Sequence, residues 1–278
     1  MSVSLKIALI QQHATPDIQN NIKRGVEAFK QAVRQGARLV IFPELGFTPF
    51  YPQRPAKGEV NQLAETIPGS TVDLFCRLAR EFEVVTVLNL FERDGEKTFD
   101  ASPVIDADGS VLGVTRMAHI CETPCFHEQG YYHPGTGNPL VFDTAVGKIG
   151  VAICYDRHYP EYMRQLGIMN ADLVAVPQAG AVDEWPEGLF EAEMQVAGFQ
   201  NGYFTALCNR VGEEECVTFE GKSFVTSPNG QVIKQAPSGQ DATLIVDIDL
   251  DLIKRSQARR HFIPDRRPEL YAGWFNKN

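Results

Sequence analysis

The chain reads as an α/β protein with antiparallel strand pairs built into its sheets. Short β-branched runs at 5–10 and 38–42 flank an amphipathic segment at 20–35, the rhythm of strand–helix–strand units. Asp94-Gly95, Asp108-Gly109 and Asn229-Gly230 stand beside or between further short apolar runs, where tight hairpin turns favour residues that accept a positive φ. No Ser/Gly-rich or charged linker interrupts the 278 residues, so a single domain over 1–278 is expected.

Taken in order, 5–10 is the first strand. The segment 20–35 places Ile22, Val26, Phe29 and Val33 on one helical stripe before Gly36 ends it. The run 38–42 is a buried strand leading into Pro43 and Glu44. A helix over 74–82 and a strand over 84–91 follow, then a strand pair at 102–105 and 111–115. The apolar run 148–154 is a strand, with a helix from about Pro160 to Met169, a strand at 173–176, a helix over 189–200 and a strand at 203–207. Strands at 223–226, 231–233 and 243–248 close the order. The last twenty residues, 259–278, show no periodicity and read as a C-terminal arm.

Composition narrows the function classes. A net charge of -9 argues against nucleic acid or an anionic membrane as the principal partner, since both ask for a basic surface. A small neutral or cationic substrate remains open. No apolar run approaches the roughly 20 residues of a membrane-spanning helix, and the opening MSVSLKIALIQQ lacks the features of a signal peptide. The expected location is therefore cytoplasmic. Six cysteines, at 76, 121, 125, 154, 208 and 216, are expected there as reduced thiols.

The chemistry gathers at strand ends. Cys154 ends one apolar strand, where open α/β sheets place their ligands, although a buried cysteine is equally at home as inert packing. Glu44 ends another, beside the aromatic and proline-rich loop 45–52. A thiol nucleophile needs a base, oxyanion donors and a pocket. Glu44 or Glu128 would serve as carboxylate partners, and His119, His133 or His158 as a histidine base; the order of residues alone does not choose between them.

Four fragments narrow the choice when read together: FPE at 42–44, a loop ending YYHPG at 131–135, ICYDRHYPE around Cys154, and NRVG at 209–212. In this order and spacing they resemble the nitrilase superfamily of carbon–nitrogen hydrolases. The phrase CYDRH and the tail RRHFIPDRRPELY are most similar to the branch that hydrolyses N-carbamoyl compounds, the β-ureidopropionases and carbamoylputrescine amidases. The resemblance implies a four-layer αββα sandwich that associates as a homodimer or higher homo-oligomer through its αββα faces, with a Glu-Lys-Cys site and no cofactor or metal. It places Glu44 as general base, Cys154 as nucleophile, Glu128 as the orienting glutamate and Tyr155 as a backbone oxyanion donor.

The lysine has no counterpart. Where the family reads Arg-Lys-X-His this chain reads Arg116-Met117-Ala118-His119, so Met117 stands at the lysine's position. Losing one oxyanion donor typically costs about 10² to 10³ in rate, roughly 2.7 to 4 kcal/mol. Two glutamates beside a thiol with no ammonium should also resist ionising together, raising one carboxyl pKa. Arg116 and His119 are the candidates to restore the charge. Tyr51, His127, Trp185 and Glu187 are candidate substrate-loop residues, with Glu184 as a further carboxylate. His119, Cys121, Cys125, His127 and His133 crowd one loop, but their spacing fits no common zinc pattern. Arg259-Arg260 and Arg266-Arg267 are expected to anchor the tail across a subunit interface. The expected activity is hydrolysis of a small amide or N-carbamoyl compound through a Cys154 thioester; the alternative is a nitrilase-fold binding protein impaired by Met117.

Overall fold

The computed structural model describes residues 4–275. One sheet begins with β1 (Ser4–Gln11), whose residues alternate strictly: Ile7 and Leu9 face a central core, Ala8 and Ile10 face helices on the other side. Helix α1 (Ile18–Arg34) follows, its N-cap supplied by the Asp17 carboxylate accepting from the Asn20 N–H at 3.0 Å. Then come β2 (Leu39–Ile41), α2 (Ser70–Phe82), β3 (Val85–Val87), β4 (Leu90–Asp94), β5 (Lys97–Ile105) and β6 (Val111–Arg116). The second sheet is built from β7 (Val141–Thr144), β8 (Gly147–Val151), β9 (Leu173–Gln178), β10 (Phe204–Asn209), β11 (Phe224–Thr226) and β12 (Val232–Gln235), with α3 (Pro160–Ile168) and α4 (Leu189–Asn201) on its outer face. The long strand β13 (Ala242–Asp249) returns to the first sheet and pairs antiparallel with all of β1, from Ser4↔Asp249 to Gln11↔Ala242.

The strand order is β13-β1-β2-β3-β5-β4, with β6 on β5, in one sheet, and β12-β11-β10-β9-β8-β7 in the other. Three cores define the layers: α1 and α2 on the first sheet, Ile7, Ile41, Val87, Ile149, Phe204 and their neighbours between the sheets, and α3 and α4 on the second. This is the expected αββα sandwich. Strands β1, β2 and β3 run parallel, as do β8, β9 and β10. The carboxyl ends of β2, β8 and β9 carry Glu44, Cys154 and Ala179 respectively.

Several local expectations are corrected. The strand over 84–91 is two strands: after Val87 the chain leaves its parallel pairing with β2, and Leu90 begins an antiparallel pairing with β5. Leu88 and Asn89 lie in the break. The segment after Cys154 is first a tight helical turn, Cys154–His158, and only at Pro160 an α-helix. The expected stripe of α1, Ile22, Val26, Phe29 and Val33, packs on the helix-side core, and the fully buried positions beside it add Asn21, Gly25 and Ala32, with Asn21 donating to the carbonyls of Thr15 and Phe47 at 2.7 and 3.0 Å. The tail is not aperiodic: it forms a π-helical turn, Ala258–Phe262, and a helix, Pro268–Phe275. Arg259 anchors it to its own chain, donating to Gly167 O at 3.1 Å and Asn170 Oδ1 at 2.7 Å. Residues 276–278 of the expected arm lie outside the described residues.

Gly25 marks how closely α1 approaches the loop beyond Glu44. A Cβ there would stand 2.7 Å from a ring carbon of Phe47. Overpacking of this kind costs about 1–3 kcal/mol, so Gly25→Val should lower the midpoint of thermal unfolding measurably; an unchanged midpoint would contradict this packing.

Candidate active site

Two corners with unusual backbone bring the candidate residues together. Cys154 has φ +40°, in the left-handed region that a non-glycine residue occupies only when its surroundings over-determine it. Its carbonyl is held by Arg157 Nη1 at 2.9 Å, and the same nitrogen reaches Gln178 Oε1 at 2.9 Å. Leu45, following Glu44, has φ +43°. Its N–H donates to Asn89 Oδ1 at 2.7 Å, while Arg210 donates to the carbonyls of Glu44, Leu45 and Thr48. Asn89 sits in the break between β3 and β4, so the interruption of that strand places the amide that fixes the glutamate's corner.

Glu44, Glu128 and Asp100 are fully buried, and Cys154 is nearly so. Glu44 lies close enough to Cys154, Asp100 and Glu128 for these groups to act on its carboxyl. Asp100 Oδ1 accepts from Asn89 Nδ2, which also reaches Ser102 Oγ at 3.0 Å. Glu128 Oε2 accepts from the Cys121 N–H at 3.1 Å. Both oxygens of Glu44, Oδ2 of Asp100 and Oε1 of Glu128 meet no donor as ionised groups.

Burial and the neighbouring charges set the protonation of the site. Glu44 is raised to about 8, first by burial and then by Glu128. Burial, with Glu44 or Asp100 as the next influence, raises Asp100 and Glu128 well above the carboxylate range. The Cys154 thiol is pushed up by burial and by both glutamates, against a weaker opposing pull from Arg157 and the Ala179 backbone. The resting site is a neutral thiol among carboxyls that retain protons.

Met117 is fully buried at the next register step beyond Ala101↔Arg116, its N–H donating to Asp100 O at 2.9 Å. Neither neighbour replaces the absent ammonium. Arg116 forms a fork with Glu92 at 2.6 and 2.7 Å, bonds Asp94 at 2.8 Å and covers the Phe99 ring. His119 Nδ1 bonds Asp156 Oδ1 at 2.7 Å, its ring stacked on Tyr159. Tyr155 follows the sulfur in the helical turn, where a first-turn N–H has no intrahelical partner.

Beside the site a cavity of about 400 Å³ is lined by Cys121, Tyr155, Glu184, Trp185 and the pair Cys125 and Cys216. Those two cysteines form a disulfide, Cα–Cα 5.9 Å, which corrects the expectation that all six are reduced thiols. Trp185 packs edge-on against His158, and Glu184 accepts from the Ala181 N–H at 2.9 Å. Glu187 lines a neighbouring cavity of about 430 Å³. His127 Nδ1 bonds Glu122 at 2.8 Å, and Tyr51 lies half-buried against Phe91. Asp100, Asn89, Tyr132 and Ala179 belong to the site without having been singled out in the sequence. Asp100 carries the one available signal, an acid between Phe99 and Ala101 in a run that otherwise pairs as a strand.

A buried thiol beside buried carboxyls at the carboxyl ends of parallel strands is the arrangement a cysteine-nucleophile hydrolase requires. The carbon-nitrogen hydrolase family model matches residues 6–258, and the chain belongs to that family. It is 31% identical to the N-carbamoylputrescine amidase of Solanum lycopersicum over 279 residues, covering 95% of this chain and 93% of that protein. A carbon-nitrogen hydrolase from Helicobacter pylori G27 superposes with TM-score 0.91 at 26% identity, covering 99% of both chains. A glutamate-to-glutamine mutant of the amidase from Nesterenkonia sp. AN1, with acrylamide added at its active-site cysteine, superposes with TM-score 0.83 at 26% identity, covering 98% of this chain and all of that one.

Glu44 gives the site a pH signature. Its folded pKa of about 8 exceeds the ordinary 4.5, so between those values the folded protein keeps a proton that the unfolded chain has lost. Its contribution to stability therefore falls as pH rises through that window, by up to about 1.4 kcal/mol per unit, and levels off above it. Glu44→Gln should flatten this decline in thermal midpoint; a slope unchanged from wild type would refute the assignment.

Proposed function

We propose that this carbon–nitrogen hydrolase works by acyl transfer to Cys154 on a small amide or N-carbamoyl compound. The observation that carries the reading is the joint burial of the Cys154 thiol and the Glu44 carboxyl, each acting on the other's protonation, with the cysteine at a left-handed corner. Glu44, ionised, takes the thiol proton as sulfur attacks the carbonyl carbon. The tetrahedral oxygen is met by the backbone N–H groups of Tyr155 and Ala179. The C–N bond breaks as the amine takes the proton from Glu44, leaving a thioester. Water, deprotonated by Glu44, then cleaves the C–S bond and restores the thiol. Glu128 orients the site from the Cys121 backbone.

Met117 favours a second reading, a binding protein of the same fold with little turnover. With Arg116 and His119 engaged elsewhere, no side-chain cation meets the oxyanion in our reading. Tyr51, His127, Trp185 and Glu187 are proposed to shape entry to the site. The proposed setting is cytoplasmic, and among the described residues no helix is long and apolar enough to cross a membrane.

We further propose a homodimer formed through the α3–α4 face. Leu189, Val196 and Phe199 of α4 are exposed apolar residues, and Phe262 from the tail packs edge-on against Phe199 with ring centres 5.4 Å apart. Phe262, Leu270 and Trp274 extend the apolar surface.

Ammonia release from a panel of amides and carbamoyl compounds should disappear in Cys154→Ala. Met117→Lys should raise amide turnover about 10²- to 10³-fold by restoring one oxyanion donor. Release that survives Cys154→Ala would overturn the acyl-transfer reading, and no gain from the lysine would show that another group already meets the oxyanion. Val196→Glu should convert the dimer to a monomer in sedimentation analysis; an undisturbed dimer would exclude this face.

A further inference from the structure

The side chains around Cys154 suit a different electrophile from the one a lysine-bearing site would favour. Glu44, Asp100 and Glu128 are fully buried within one cluster, and their unpartnered oxygens make the pocket rich in acceptors. The Tyr132 hydroxyl is a further buried atom without a partner, close enough to all three carboxyls for their charges to act on it. Of the buried guanidiniums, Arg210 gives its Nη atoms to the carbonyls of Glu44, Leu45 and Thr48 and to Glu214, and Arg157 gives Nη1 to Cys154 O and Gln178, while Arg157 Nε and Nη2 and Arg210 Nε meet no acceptor. Met117 places an uncharged side chain where the family pattern has an ammonium.

This arrangement opposes amide chemistry at the atom where charge develops. Attack on a carbonyl builds negative charge on oxygen next to carboxyls that oppose it more strongly than the Arg157 charge offsets them. Attack on an amidinium or guanidinium carbon does the reverse. The positive charge is neutralised as the bond forms, so no oxyanion appears in that step. Such a cation is planar and donor-only, and its paired N–H groups match carboxylate oxygens that lack donors.

We propose that the Cys154 pocket hydrolyses an amidinium or guanidinium carbon to the corresponding amide or urea, releasing ammonium. This rests on Cys154 being the nucleophile, but not on an amide being the substrate. The thiol gives its proton to the Glu44 carboxylate and sulfur bonds to carbon, while the C=N π pair moves onto nitrogen to give a neutral tetrahedral adduct. Glu44 returns the proton to one nitrogen, the C–N bond breaks and ammonia leaves. The remaining nitrogen's lone pair re-forms a C=N⁺ bond, giving a thioimidate cation in the acidic pocket. Water adds to that carbon and gives a proton to Glu44. The C–S bond breaks, sulfur takes the hydroxyl proton, and the amide or urea departs. Glu44 then protonates ammonia, so one cation and one water become one neutral product and one ammonium. Asp100 acts as a positioning residue beside Glu44 and contributes charge when the cation binds.

The test pairs isosteric substrates on the full chain: alkyl and aryl amidines against the matching amides, and alkylguanidines against alkylureas, with ammonium release as the readout. The expected kcat/KM ratio favours the cation by about 100-fold or more, since only the amide loses an oxyanion donor. Calorimetry of Cys154→Ala in buffers of different ionisation enthalpy should show proton release when acetamidinium binds and none with acetamide. Asp100→Asn, with folding checked by its melting curve, should cut the amidine preference about 10-fold and reduce the proton release. Faster Cys154-dependent hydrolysis of the amides would overturn this inference and leave the amide reading standing. Ammonium from amidines alone would do the opposite. No ammonium from any pair, with no covalent adduct at Cys154 by mass spectrometry, would overturn both.

Discussion

A carboxyl group is buried without a counter-ion only where a proton or a donor reaches it, and the Glu44–Asp100 contact is where this molecule meets that condition. Each side chain is fully enclosed, burial raises the proton affinity of both, and Glu44 raises that of Asp100 further, so protons are retained on oxygens that would otherwise face each other as unscreened charges. A chemically useful consequence follows. Held protonated at neutral pH, Glu44 becomes a base beside the thiol only when the cluster gives up a proton. The same pairing makes the site sensitive to any cation that enters, because a positive charge releases what the pair retains.

The fold supplies the rigidity this contact requires. Glu44 lies at a corner whose next residue is left-handed, and two long-range polar side chains pin it: Asn89 from the break between β3 and β4, and Arg210 just after β10 of the opposite sheet. Arg210 thus ties one layer of the sandwich to a strand end of the other. Its role is positional, since its Nη donors go to backbone carbonyls and Glu214 rather than to the site's carboxyls. Asn89 has a double function, taking the Leu45 N–H and giving its amide protons to Asp100 and Ser102. One residue in an interrupted strand therefore fixes the geometry of both acids.

The parts of this site legible from sequence are those marked by a strand ending in a reactive residue. Phe42-Pro43-Glu44 and Ile153-Cys154-Tyr155 follow apolar runs, and position at a strand's carboxyl end is a property of the local chain. Asp100 and Asn89 were not legible for the opposite reason. Asn89 lies inside a run that reads as a strand, where alternation makes a polar residue look solvent-facing, Asp100 lies just ahead of the run expected at 102–105, and only the pairing of β5 with both β3 and β4 encloses them. Arg116 and His119 looked like neighbours of the sulfur because they flank Met117 in sequence. On an extended segment successive side chains point to opposite faces, which carries Arg116 out to Glu92 and Asp94. The disulfide was hidden similarly, since its cysteines are 91 residues apart and meet only through two small strand ribbons.

Met117 and Asp100 gain meaning when read as a pair. They lie across one register step of β5 and the end of β6, joined by the Met117 N–H to the Asp100 carbonyl. An ammonium at 117 would be drawn to the Asp100 carboxyl and would make a retained proton unnecessary. With an uncharged thioether there, a proton must do what the cation would have done, and it does so only on the acids, not at the substrate's oxygen. In the proposed mechanism, Met117 in the lysine's place splits two functions that one ammonium can serve: Asp100 supports the base, and two backbone N–H groups are left to stabilise an oxyanion. A site divided in this way still activates its thiol, and its preference passes to electrophiles whose attack lowers charge instead of creating it.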